Sequence, residues 1–163
     1  MAETTIHPKN ADDQVLGVCV FRLAGLRLGL EVRSVQEVLK PLTVTRVPLA
    51  PETMHGLVNL RGQIVLAFNL RQRLGLEETE AANTLQVVCL HQGEPVSFFV
   101  DALEEVQEIQ AGMLRPVPTN LPRRLRDCLQ GVLDGEGGLL LILDPAKVLG
   151  WVAGDPDRVG ANH

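Results

Sequence analysis

Acidic side chains crowd one short stretch, Asp101-Ala102-Leu103-Glu104-Glu105-Val106-Gln107-Glu108. Carboxylates serve as general acid and base when burial or a like-charged neighbour drives their pKa values apart. Here they fall among solvated positions, so the stretch reads as a wet surface face. Asp12-Asp13 and Asp155-Pro156-Asp157 lie near the chain ends and are too few to hold a cation alone. The run Gly135-Glu136-Gly137-Gly138 lacks the Lys-Ser/Thr that completes a phosphate loop. The four histidines, His7, His55, His91 and His163, are far apart with no ligand spacing, and His55 and His91 read as turn or strand-end residues. Cys19 and Cys89 lie inside apolar runs and read as buried, inert thiols; Cys128 follows a basic stretch and reads as more exposed. No C-x-x-C pair occurs, which opposes a zinc site and a disulfide framework and fits a reducing compartment. No metal, cofactor or catalytic residue is expected from this inventory.

One charged residue stands where its neighbours are apolar. In Gly56-Leu57-Val58-Asn59-Leu60-Arg61-Gly62-Gln63-Ile64-Val65-Leu66-Ala67-Phe68-Asn69-Leu70-Arg71, a strand-like pattern is broken by Arg61 beside a glycine. Two buried strands joined by a tight turn, with Gly62 at positive φ, put Arg61 at the tip of a hairpin. There the guanidinium either stays wet or meets a fixed carboxylate. The tip carries no nucleophile and no base.

The elements around it are mostly strands. Val15 to Leu23 and Leu26 to Leu30 predict a hairpin about Ala24-Gly25. Glu31 to Lys40 predicts a short helical turn leading into a strand, and Thr43 to Val47 another strand, stopped by Pro48 and Pro51. Arg71 to Leu74 offers one helical turn closed by Gly75. Leu85 to Leu90 and Pro95 to Val100 predict a second hairpin about Gln92-Gly93-Glu94, with Glu77 to Ala82 a polar linker before it. Pro122 to Gln130 reads as a short basic helix, Leu139 to Leu143 as a buried strand, and Pro145 to Leu149 as a helix opened by proline. Arg123-Arg124-Leu125-Arg126 is a solvated helix face or a docking patch for an acidic partner.

The chain also repeats itself. Shifted by 75 positions, Gly56-Leu57-Val58-Asn59 meets Gly131-Val132-Leu133-Asp134, Gly62 meets Gly137, and Asn69 meets Asp144. Val35-Gln36-Glu37-Val38 recurs as Val106-Gln107-Glu108-Ile109, and Cys19 as Cys89. Two related β subdomains follow, about residues 15–80 and 82–150, with interleaving of strands left open. Residues 1–14 and 151–163 are expected to be tails.

Composition bounds the partners. With 163 residues the chain can bury a core without staples. Four Phe, one Trp, no Tyr and a net charge of −5 serve base stacking and phosphate binding poorly, so nucleic acid is not an expected partner. No run of eighteen apolar residues and no hydrophobic leader between Met1 and Gln14 is present, so membrane insertion is not expected and a cytoplasmic location is.

The hairpin block resembles the signature of the CheW-like domain family, the coupling module of bacterial chemotaxis arrays. That signature runs Gly-apolar-x-Asn-Leu-Arg-Gly-x-Ile-Val-Pro-apolar-apolar-Asp-Leu-Arg, and Gly56, Asn59, Leu60, Arg61, Gly62, Ile64, Val65, Leu70 and Arg71 match it in register. Leu66 replaces the usual proline and Asn69 the usual aspartate. The likeness extends through Val35 to Val38, Arg115 to Pro118 and Leu139 to Asp144, spanning about residues 15–150. It implies a mainly β fold of two small five-stranded SH3-like barrels packed together, with short helices. It also implies a non-catalytic adaptor that bridges the cytoplasmic tip of methyl-accepting chemoreceptors to a CheA-type histidine kinase and is recruited to membrane-associated arrays. By the same resemblance Val35, Gly56 and Val106 line a receptor groove and Glu37 orients Arg61 near the receptor and kinase surfaces. Asn59 belongs to the same motif, and Val32 falls near a kinase-contact surface. Two alternatives stay open: a coupling protein of another pathway, such as type IV pilus motility, and a small-ligand-binding or catalytic β-barrel.

Overall fold

The structure, a computed structural model, describes residues 13–78 and 85–149. Among the described residues, ten strands and three short helices follow one another. They are β1 (Val15–Leu23), β2 (Leu26–Glu31), β3 (Val35–Leu39), β4 (Met54–Leu60), β5 (Gln63–Phe68), α1 (Leu70–Leu74), β6 (Leu85–His91), β7 (Glu94–Val100), β8 (Ala102–Gln110), α2 (Arg123–Arg126), β9 (Leu129–Gly135), β10 (Gly138–Leu143) and α3 (Pro145–Leu149). Three hairpins close on two-residue turns with both residues at positive φ: Ala24-Gly25, Arg61-Gly62 and Gln92-Gly93. That geometry matches the right-handed twist of the strands it joins, and a glycine in its second place removes the steric cost there.

The strands form two five-stranded sheets, ordered β8-β1-β2-β10-β9 and β3-β6-β7-β5-β4. Neighbours are antiparallel except β2 with β10 and β5 with β7, which run parallel. After β3 the chain returns to the far edge of its own sheet, where Thr45 bridges Leu57 of β4. After β8 it does the same, with Arg115 bridging Val132 of β9. Each sheet is thereby closed on itself, which leaves little free edge. The two sheets have the same strand order once β1 to β5 are equated with β6 to β10, so the repeat seen in the sequence is a repeat of topology.

The sheets do not divide near residue 80. One is built from β3 to β7, residues 35–100; the other joins β1 and β2 to β8, β9 and β10. The first is inserted into the second. The polar linker lies mostly outside the described residues, as do the tails apart from Asp13 and Gln14.

Strand alternation feeds three apolar clusters. Val18, Val20, Ile109, Leu133, Leu140 and Ile142 fill one sheet's interior, and Val58, Leu60, Val65, Ala67, Val88 and Phe99 fill the other's. Side chains of opposite parity, including Phe21, Leu28, Phe68, Val87, Phe98, Leu141 and Leu143, meet in a larger cluster shared by both sheets. Phe98 lies 5.8 Å from Phe21 and 5.3 Å from Phe68 between ring centroids. Strands buried on both faces explain why Val18 to Phe21 and Leu139 to Leu143 read as unbroken apolar runs.

Two local expectations need correction, and a third gains a strand. Thr43 to Val47 forms no strand; only Thr45 pairs, because Pro48 and Pro51 keep the following loop out of the ladder. The acidic stretch from Ala102 is largely exposed, as expected, and forms the edge strand β8, whose Glu104 is bound by Arg22 and Arg27. Cys128 is fully buried, since α2 ends in a turn that drives it into the shared cluster.

Candidate functional site: the Arg61 hairpin and its neighbours

The β4–β5 turn holds Arg61 at φ 52 and Gly62 at φ 87. Asn59 fixes the turn from inside, its Oδ1 accepting a 2.8 Å hydrogen bond from the Gly62 amide. The Arg61 side chain reaches β3, where its two terminal nitrogens donate to the two Glu37 oxygens at 2.6 and 2.7 Å. This is the planar, bidentate form of the Arg–carboxylate pair. The guanidinium beside it holds the Glu37 carboxyl below the ordinary carboxylate range, and Glu37 in turn raises the Arg61 pKa. The Arg61 side chain is nonetheless 70% exposed, against 24% for Glu37. The pair therefore presents an oriented cation to solvent rather than hiding one.

The remaining sequence-predicted residues occupy different settings. Val32 is exposed on a single 3-10 turn, Val32–Ser34, packed over Gly17 of β1. Val35, at the start of β3, is partly buried against the shared cluster and pairs with Cys89. Val106 lies on β8 opposite Cys19 and is 61% exposed. Burial, with a smaller contribution from the Cys19 thiol, pushes the Cys89 pKa up to about 12. Gly56 is buried at φ 148, and a Cβ there would collide with the Thr45 carbonyl oxygen. Its glycine lets the chain after β3 close onto β4; it offers no side chain to a partner. Glu37 and Arg61 thus form a hydrogen-bonded pair on a turn that Asn59 braces through the Gly62 amide, while Val35 and Val106 sit on edge strands of different sheets.

One exposed residue of this hairpin escaped the sequence reading. Ile64, opposite Asn59 on β5, is 62% exposed although it sits in an apolar run. The signal available was parity: Val65 and Ala67 point into the sheet, so Ile64 faces the other way, with the polar Asn59 as its cross-strand neighbour.

The two departures from the family signature have local structural roles. Leu66 lies on a strand paired on both sides and packs against the shared cluster. Asn69 caps α1 by accepting from the Gln72 amide at 3.1 Å, while its Nδ2 donates to Glu78 at 2.6 Å. An aspartate could do the first but would repel Glu78.

Among the described residues, two of the surface clefts bear on candidate chemistry. One, of about 470 Å³, lies under the loop before β4 and is lined by Arg46, Leu49, Glu52, His55, Asn69 and Glu78 among others. Burial pushes the His55 imidazole below its ordinary value, against the opposing influence of Glu78. The other, of about 310 Å³, holds Arg27, Glu104, Glu105, Asp134 and Glu136. Hydrogen bonding from Arg27 holds Glu104 below the carboxylate range, which unfits it as a general acid near neutrality. Among the described residues no group of three or more His, Cys, Asp or Glu is arranged to hold a metal ion, and no helix is long and apolar enough to cross a membrane.

A family model described as the CheW-like domain matches residues 17–153. The chain belongs to that family. Its relatives include the chemotaxis protein CheW of Helicobacter pylori, 31% identical over 68% of this chain and 67% of that protein. The CheW of Klebsiella aerogenes is 28% identical over 80% of this chain and 79% of its own length. Among solved structures, the scaffolding protein CheW of Thermoanaerobacter tengcongensis aligns with a TM-score of 0.72 at 26% identity, covering 80% of this chain and 90% of that one. A mainly β, two-subdomain CheW fold is thus common to both.

Proposed function

We propose that this chain is a non-catalytic coupling adaptor of chemotaxis, joining the cytoplasmic tip of a chemoreceptor to a CheA-type histidine kinase. It works in the cytoplasm at membrane-associated receptor arrays. The observation that carries the reading is the Arg61 guanidinium, locked by two hydrogen bonds to Glu37 yet 70% exposed, in a member of the CheW-like family. An oriented, outward arginine is a frequent interface hot spot. Val32 and Val106 supply exposed apolar surface elsewhere on the chain, and Val35 belongs to the edge strand that carries Glu37. The mechanism is non-covalent: partners bind one state of the assembly better than another and shift its population.

The test is a reconstitution with purified receptor fragment and kinase. The chain alone is expected to show no turnover, and to change kinase phosphorylation only when receptor is present. Arg61→Ala should weaken that effect without unfolding the protein. Phosphotransfer or hydrolysis by the isolated chain, or a kinase indifferent to its addition, would overturn the reading.

A further inference from the structure

Gln86 of β6 and Ser97 of β7 are fully buried polar side chains in the inserted sheet, and the topological repeat shows that the fold itself does not require them. Setting the turns Ala24-Gly25 and Gln92-Gly93 on each other places Val18 against Gln86 and Gly29 against Ser97. The parallel pairings agree, since Ile142 lies opposite Gly29 as Ala67 lies opposite Ser97. One half fills the place with Val18, Gly29 and Ile142, where a Cβ on Gly29 would come within 2.8 Å of a methyl of each neighbour. In the other half the smaller Ala67 stands where Ile142 would, and a directed chain of hydrogen bonds replaces the apolar filling. The Leu42 amide donates to Gln86 Oε1 at 2.8 Å, Gln86 Nε2 to Ser97 Oγ at 2.9 Å, and Ser97 Oγ to the Leu66 carbonyl at 3.1 Å. Buried amides and hydroxyls are costly unless satisfied, and here each is.

The first donor of that chain belongs to the exit of β3. Among the described residues the β3–β6 ladder ends at Leu39 opposite Gln86, and Pro41 has no N–H to carry it further. The next amide, that of Leu42, is therefore held by a side chain rather than by a strand. β3 is an edge strand, and Glu37 stands on it two residues before Leu39. We infer that Gln86 is a positioning residue for Arg61: by holding the Leu42 amide it keeps the exit of β3 on the sheet, and with it the Glu37 carboxylate that orients the guanidinium. Ser97 sets which way round the Gln86 amide sits, because its hydroxyl proton goes to Leu66 and only its lone pairs face Gln86. Without Gln86 the edge frays from Leu42 back toward Glu37. The inference deepens the proposed coupling role and rests on it for the last of its readouts.

The experiment compares wild type with Gln86→Met, which keeps the side chain's length and removes its hydrogen bonds. The triple variant Ala67→Ile/Gln86→Val/Ser97→Gly, which installs the apolar filling of the other half, carries the test if Gln86→Met does not fold. In either protein the Leu42 amide should exchange hydrogen about tenfold faster, while the Phe98 amide changes by less than about twofold. The Glu37 carboxyl, titrated by NMR, should move up toward the ordinary carboxylate range. In reconstitution with receptor fragment and kinase, the effect on phosphorylation should fall about threefold, and the variant should add nothing to Arg61→Ala. A Glu37 titration equal to wild type in a folded variant overturns the inference and leaves the coupling role standing. Equal acceleration at Leu42 and Phe98 makes Gln86 a packing residue and overturns it too. A kinase indifferent to the wild-type chain overturns the coupling role, with the Glu37 titration still deciding whether Gln86 positions Arg61.

Discussion

Arg61 and Arg71 belong to one signature and have opposite fates. Arg61 stands 70% exposed at a turn, whereas Arg71 is 7% exposed and donates to Asp101 at 2.6 Å and to the Glu77 carbonyl at 3.2 Å. Asp101 also accepts from the Ala24 amide at 2.9 Å, so Arg71 ties α1 to the β1–β2 turn of the other sheet. Removing one member of a buried pair strands the other, so Arg71→Ala should cost about 3–5 kcal/mol in urea unfolding. Arg61→Ala should leave the urea midpoint where it is and affect only partner binding, since exposed pairs contribute little to stability. The Glu37 pKa is lowered in the folded state, so what the pair contributes is complete above the unfolded carboxylate value and is lost as pH falls through the folded one. Arg61-dependent binding should therefore be flat between about pH 6 and 8.

The loop between β3 and β4 and the strand it closes upon depend on two residues that the sequence marks only faintly. Gly56 admits Thr45 against β4, and Gly56→Ala should cost ~3 kcal/mol or more by forcing the bridge apart. His55, edge-on to Phe99 at 5.7 Å, has its pKa lowered by burial. Its unfolded form takes up protons first, so stability is full above about pH 6.5 and falls as the solution is acidified toward the folded value. His55→Gln should flatten the urea midpoint between about pH 7 and 5; a slope unchanged from wild type would assign the dependence to other groups. Hairpins were legible at this scale because their turns and alternation are local. The edge strand β8 was not, since Glu104, Glu105 and Glu108 look like surface when the arginines that bind Glu104 lie on β1 and β2. A lone charge in an apolar hairpin calls for a partner, so a carboxylate for Arg61 was legible; that it is Glu37 came from the family resemblance.

Which strands share a sheet was not legible, and the reason is the repeat itself. When β1–β2 and β6–β7 are alike, either can lie beside β5 or β10 without violating any pattern in the sequence. The choice made here joins both sheets through Phe21, Phe68 and Phe98. Unfolding should consequently be a single transition by far-UV circular dichroism and calorimetry. Phe98→Ala should lower the stability by about 3–5 kcal/mol while keeping one transition. Two separated transitions would show that the shared cluster does not couple the sheets. All three cysteines are buried, so thiol reagents at neutral pH should label none of them until the same transition is crossed.

Because one sheet is inserted in the other, the order of synthesis on the ribosome is not the order of completion. All five strands of the inserted sheet, residues 35–100, have been made before any of β8, β9 or β10 exists. The first hairpin, β1 with β2, is made earliest and must wait for β10, which ends at Leu143, before β2 has its parallel neighbour. At ~5–20 residues per second that delay is on the order of ten seconds. Throughout it Val18 and Val20, whose buried neighbours Ile109, Leu133, Leu140 and Ile142 all come from β8, β9 and β10, lack the side chains that will cover them, so the nascent chain keeps apolar surface open at its oldest end.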